Sequence, residues 1–225
     1  MMRSLPRLLD YLRSVRWSQW AALGLRFAIP LAVIALPFLV LVRGAVTLYS
    51  AGHWPAWLAL GVSALATIAV VAGYAAIATR RLTGRARFGW IVRWVALPLV
   101  LGFVVRGLVF LDSSHAQGDA VRAEYRGTHP LLRLALATLE LADDRLVITD
   151  MSRTPADYAR MGLPVVAGTM HAPQADGWVH AVDIHTRGRG FFVNLLVEGY
   201  FRAMGFRTRR HVGTQDHLHV ELPLN

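Results

Sequence analysis

The sequence predicts an α+β protein: an N-terminal bundle of three transmembrane helices, followed by a small α+β domain with a largely antiparallel sheet. Three observations carry that expectation. The chain is 55% hydrophobic over 225 residues, too apolar for one soluble domain. Its apolar residues gather into three runs, at 27–49, 57–79 and 88–111, each near the ~20 residues a helix needs to cross the hydrocarbon core of a bilayer. From Asp112 the composition changes abruptly, and short strands and helices follow without regular βαβ alternation.

The first run holds Pro30 and Pro37, which a membrane helix tolerates as kinks. The third is interrupted by Arg93 near its start and Arg106 near its end; both side chains are long enough to snorkel toward opposite interfaces. Charge orients the spans. Residues 1–111 carry twelve Arg and the single acid Asp10, a net +11, whereas residues 112–225 carry twelve Arg and thirteen acids, a net −1. The +10 of the whole chain therefore belongs to the apolar half, and the C-terminal half lacks the basic surface that nucleic-acid binding requires. Arg3, Arg7, Arg13, Arg16 and Arg26 precede the first run, and Arg80, Arg81, Arg85 and Arg87 follow the second, while the first connection has no Arg. By the positive-inside rule the leader (1–26) and the second connection are cytoplasmic. Everything beyond residue 111 then lies outside, in the periplasm or exterior of a multi-pass bacterial inner-membrane protein. Residues 3–20 also read as a basic amphipathic helix or as an extension of the first span. The absence of Cys excludes a disulfide framework and thiolate ligands.

Within the expected domain 112–225, residues 129–142 show apolar positions at helical spacing with Pro130 near the start. Residues 145–149 read as a short strand, 155–161 as a helix capped by Thr154, and 180–185 as a strand. Residues 191–204 read as a helix stopped by Gly205, and 206–212 and 217–222 as two more strands.

Eight of the nine histidines lie beyond residue 112. In a strand, residues two apart share a face, so His217 and His219 project to one side, and Asp183 shares a side with His185. One strand offering a carboxylate and another offering paired imidazoles can converge on one metal ion.

The segments DMSRT (150–154), HAVDI (180–184) and DHLHV (216–220) resemble the M15-type zinc D-Ala-D-Ala peptidases, related in fold to Hedgehog amino-terminal domains; the resemblance covers roughly 129–222. It implies a zinc-dependent peptidase acting on peptidoglycan stem peptides, with Zn²⁺ held by His171, Asp183 and His219. It implies catalytic roles for Asp216 or His217 in proton transfer and for Arg153 in binding a carboxylate or oxyanion. Two departures stand out. His171 and Asp183 are twelve apart where the family has seven, which requires an insertion of about five residues within APQADGWV; without it Asp176 takes the histidine's place. Asp216 stands where Glu is commoner. His180 reads as a supporting residue, and His115, in SSHAQGDAVR, as a decoy that ends in Arg122 rather than Asp. The alternative expectation is a degenerate peptidase-fold module that binds cell-wall peptide or a membrane partner.

Overall fold

The computed structural model describes residues 5–160, 162, 164, 168–213 and 216–224, with side chains described from residue 21 onward except residue 23. The amphipathic face expected over 3–20 therefore lies outside the described side chains, and the last residue of the helix expected over 155–161 lies outside the described residues.

The chain divides into two units by its internal contacts, Met1–Pro37 and Phe38–Asn225. The first is helical from Leu5 (α1, Leu5–Phe38), its helix continuing through Pro30 and Pro37. In the second, a π-helical turn (Leu39–Arg43) leads into α2 (Gly44–Ser50), followed by α3 (Ala56–Thr83), α4 (Phe88–Ile91), another π turn (Val92–Ala96) and α5 (Leu97–Val109). Three helical stretches, Gly24–Ser50, Ala56–Thr83 and Phe88–Val109, are long and apolar enough to cross a membrane, as the three apolar runs predict. The π turn before α5 sits directly ahead of Pro98. A widened turn there relieves the clash between a prolyl ring and the carbonyl four residues earlier.

Beyond α5 come α6 (Asp119–Glu124), α7 (Pro130–Glu140), β1 (Ile148–Asp150), α8 (Pro155–Arg160), β2 (Ala181–His185), α9 (Phe191–Met204), β3 (Arg207–His211) and β4 (His217–Glu221). The sheet is antiparallel throughout, in the order β1-β2-β4-β3, so the architecture is α+β. Strand β1 starts later than the predicted 145–149. Asp143 ends the preceding helix in a turn, its carboxylate accepting the Arg145 amide and its carbonyl the Leu146 amide, so the residues just after it cannot join the ladder.

α7 is buried on every side, Arg133 and Glu140 included. A helix covered all round is an interior helix, and its cover includes the apolar helices. α5 approaches it at Gly107, where an added Cβ would meet Ala137 Cβ at 2.9 Å and Leu134 Cδ2 at 3.0 Å. The Tyr125 hydroxyl donates to the Gly107 carbonyl at 2.5 Å, Arg133 donates to the Leu108 carbonyl, and Arg106 pairs with Glu140 at 3.3 Å. One apolar cluster consequently runs from Leu41 and Ala45 through Val100 and Leu136 to Ile184 and Leu218.

Strands β2 and β4 alternate, while the register of β1 against β2 shifts between Ile148 and Asp150. Val182, Ile184, Leu218 and Val220 face this core. The opposite face, fixed by the register Asp183↔His219↔Arg209 and His185↔His217↔His211, carries acids, histidines and arginines. β3 is an exposed edge strand reading RTRRH, and its cations discourage further strand pairing.

Candidate metal centre

Three side chains meet on the polar face of the sheet. His171 Nε2 lies 3.3 Å from Asp183 Oδ1 and 3.2 Å from His219 Nδ1, and His219 Nδ1 lies 2.9 Å from Asp183 Oδ1. Metal bonds of about 2.0–2.1 Å at tetrahedral angles put neighbouring ligand atoms about 3.3–3.4 Å apart, so this triangle is the size of a metal's ligand set, and the group can hold a metal ion.

The tautomers agree with that reading. His171 Nδ1 donates to the Met151 carbonyl at 2.8 Å, which leaves the lone pair of Nε2 pointing into the triangle. His219 Nε2 faces Glu221 Oε2 at 3.5 Å, leaving Nδ1 for the same purpose. An imidazole held by its other nitrogen to a carbonyl or carboxylate is the arrangement that orients metal ligands. Three lone-pair atoms this close repel one another unless a cation or a proton lies among them. Burial opposes charging His219, but its hydrogen bonds to Asp183 and Glu221 and their negative charge outweigh it and raise its pKa. Burial likewise works against the Asp183 carboxylate, yet the imidazoles of His171, His219 and His217 beside it hold its pKa far below the usual carboxylate range.

Each ligand rests on a different element. Asp183 and His219 are register partners on β2 and β4. His171 comes from the loop before β2, tied by the Arg153 amide donating to the His171 carbonyl at 2.9 Å and the His180 amide donating to the Met170 carbonyl at 3.0 Å. The twelve-residue spacing closes because residues 173–179 form an excursion pinned by an antiparallel bridge between Pro173 and Val179. The excursion leaves and returns beside His171, so its length does not carry His171 away from Asp183.

The three residues with expected catalytic roles are placed differently. Arg153 bridges Asp150 and Asp183 Oδ2; it thereby orients the carboxylate whose other oxygen joins the triangle. His217, partly exposed, lies with Nε2 3.6 Å from Asp183 Oδ2 and stacks on His211 at 4.7 Å between ring centroids. The Asp216 carboxylate accepts the Gly213 amide at 2.8 Å, closing the turn between β3 and β4 rather than reaching into the triangle. Sequence reasoning did not single out Asp150, Glu221, His211, Arg207 or Arg209; the alternation of RTRRH against the register of DHLHV is the signal that places the last three on the site's face. Beside His219 and Glu221 a hollow of about 380 Å³ is lined by Arg202, Arg207 and Arg209.

His180 and Asp176 belong to a second cluster. Asp176 Oδ2 accepts from His180 Nε2 at 2.9 Å and from the Tyr49 hydroxyl at 3.4 Å, and lies 3.7 Å from His129 Nε2. This trio of His129, Asp176 and His180 also has metal-like spacing, but its tautomer argues otherwise. His129 caps α7, its Nδ1 accepting the Leu131 amide at 3.2 Å. That use of the Nδ1 lone pair puts the proton of a neutral imidazole on Nε2, where it faces Asp176 and cannot ligate. Burial is the main reason His129 stays neutral, its pKa pushed down to about 3. The cluster is a carboxylate clamp joining the 173–179 excursion to α7 and α2. His115, the decoy, is buried elsewhere with Nδ1 2.8 Å from the Leu146 carbonyl.

Compared with protein-family models, curated proteins and solved structures, the chain finds no match.

Proposed function

We propose that this chain is a zinc-dependent peptidase anchored in a bacterial inner membrane, with its C-terminal domain on the outer side and peptidoglycan stem peptides as substrate. The observation that carries the reading is the convergence of His171 Nε2, Asp183 Oδ1 and His219 Nδ1 within 3.3 Å of one another, with His171 held in the ligating tautomer. The donor set fits zinc, which favours imidazole nitrogen and carboxylate oxygen with one open position. When bound, zinc supplies Lewis acidity toward water and toward a peptide carbonyl.

The chain's own residues supply the rest. His217 stands next to the triangle and is partly exposed, so it is the better placed of the two proton carriers: it takes a proton from the attacking water and passes it to the leaving amine. Asp216 holds the turn that sets the start of β4 and so positions His217. Arg153 holds the Asp183 carboxylate in its orientation through their ion pair. The hollow with Arg202, Arg207 and Arg209 accepts the carboxylate of a peptide terminus.

A second reading, a non-catalytic module binding cell-wall peptide, is favoured by one observation: Arg153 and Asp216 both spend their charged groups on internal partners. Full-length protein in detergent, stripped with chelator and titrated with zinc, should bind one zinc per chain and cleave defined muropeptides; His219→Ala should do neither. Zinc binding and muropeptide binding without cleavage would leave the module. A chain that takes up no zinc refutes the peptidase.

A further inference from the structure

The amino-terminal half of α9 presents an apolar face to the outside. Phe191 is 72% exposed, Phe192 76%, Leu195 50% and Leu196 73%, while Asn194, Val197, Phe201 and Met204 turn inward. Four large side chains in under two turns form a contiguous patch of the kind that soluble surfaces avoid and that marks a membrane or partner contact. The ends of α9 indicate which. At its C-terminus Gly205, in the left-handed conformation (φ +97°), packs so closely on α2 and the turn before it that an added Cβ would lie 2.5 Å from Arg43 Nη1 and 2.8 Å from Val46 Cγ1. Just ahead of its N-terminus, Arg189 pairs with Asp143 at the end of α7, and Glu140 of α7 pairs with Arg106 of α5. The C-terminus of α9 is thus tied directly to the first apolar helix at Arg43, and its N-terminus is tied to the turn after α7, three residues from the Glu140 that pairs with Arg106 of α5.

Arg106 stands eighteen residues beyond Phe88, where the third apolar helix begins. At 1.5 Å per residue that is about 27 Å, close to the ~30 Å thickness of the hydrocarbon core, so Arg106 marks the lipid–water boundary. A helix fastened at this level, apolar on its free face, preceded by the exposed cation Arg187 and carrying the exposed Arg202, paired with Glu198, near its end, has the composition of one lying in the interface plane.

We propose that the amino-terminal half of α9 is embedded in the lipid–water boundary of the same membrane, with Phe191, Phe192, Leu195 and Leu196 among the acyl chains and Arg187 at headgroup phosphate. This rests on α9 and the apolar helices alone and is independent of the peptidase reading.

Because the chain has no Cys, full-length Phe192→Cys, Leu196→Cys and Arg210→Cys each carry one nitroxide label without other changes. All three positions are exposed, so folding is not at stake. The labelled proteins go singly into nanodiscs of mixed zwitterionic and anionic phospholipid, and collision rates with oxygen and with a water-soluble nickel chelate are compared. Labels at 192 and 196 should collide preferentially with oxygen, and the label at 210, on the edge strand β3, preferentially with nickel. Nickel accessibility at 192 and 196 equal to that at 210 overturns the proposal. So does shielding that appears only when two copies share a disc, with dipolar coupling between their labels, because the patch then covers a second copy.

Discussion

Replacing Glu221 by Gln tests whether the histidine triangle is a metal site or merely a hydrogen-bonded cluster. Glu221 touches no ligand-bearing corner of the triangle; it acts only through the far nitrogen of His219, at 3.5 Å. Partners of that kind typically contribute 10- to 100-fold to metal affinity. Here the contact is long, the carboxylate is 25% exposed, and Arg207 competes for it at 3.8 Å, so the lower end applies: about tenfold weaker zinc binding, or ~1.4 kcal/mol. The pH dependence sharpens the test. Glu221 and Asp183 raise the pKa of His219, and zinc must displace that proton. Removing Glu221 therefore weakens both the metal and its competitor. The loss should be larger at pH 8 than at pH 6, because more His219 is protonated at the lower pH and the proton that competes with zinc is weakened too. Chelator competition on the full chain in detergent, at both pH values, measures it. Unchanged affinity at pH 8, or a loss equal to that of His219→Ala, refutes the assignment of Nδ1 as the ligating nitrogen.

Four further outcomes are expected. Asp176→Ala should keep one zinc per chain while His171→Ala loses it; the former should lower stability by about 1–3 kcal/mol, the cost of leaving the buried His180 N–H without its acceptor, read by thermal unfolding. Because His129 is neutral in the fold, with its pKa down at about 3, the unfolded chain alone takes up a proton as pH falls below ~6.5; stability present above that pH should be lost at ~1.4 kcal/mol per pH unit down toward 3, and His129→Asn, which still caps α7, should flatten the slope. Gly107→Ala pushes a methyl against Leu134 and Ala137 and should cost about 1–3 kcal/mol, seen as a lower melting temperature in detergent. Residues 112–225 expressed alone should aggregate on size exclusion, because α7 loses its cover of Gly107, Leu108 and Arg106.

The fold class was legible because the elements that define it announce themselves locally: the three apolar runs by length, α9 by its 3.6-residue period and Gly205, β2 and β4 by alternation. The residues that converge, His171, Asp183 and His219, could be picked from motif order, and the excursion at 173–179 shows how twelve residues of chain between His171 and Asp183 still bring them together. What the sequence hid is long-range. Nothing local in α7 says that the partner of its Glu140 is Arg106 of an apolar helix, or that its capping His129 would sit beside an Asp176 that meets Tyr49 from 127 residues away. Likewise the exposed half of α9 reads, by periodicity alone, as an ordinary core helix.

The same alternation that hides these partners explains how so short a sheet serves two purposes. In β4 the order His217-Leu218-His219-Val220-Glu221 sends Leu218 and Val220 into the shared core and the other three to the polar face. A one-residue slip of β4 against β2 would bury three ionisable groups and expose two apolar ones, and would carry His219 away from Asp183. The register that buries the apolar side chains is therefore the one that assembles the triangle. Because the core beneath is continuous with α7 and the apolar helices beyond Pro37, the packing that holds those helices together also holds the ligand geometry. That coupling makes Gly107, which touches none of the three ligands, a position whose enlargement should weaken zinc retention along with stability.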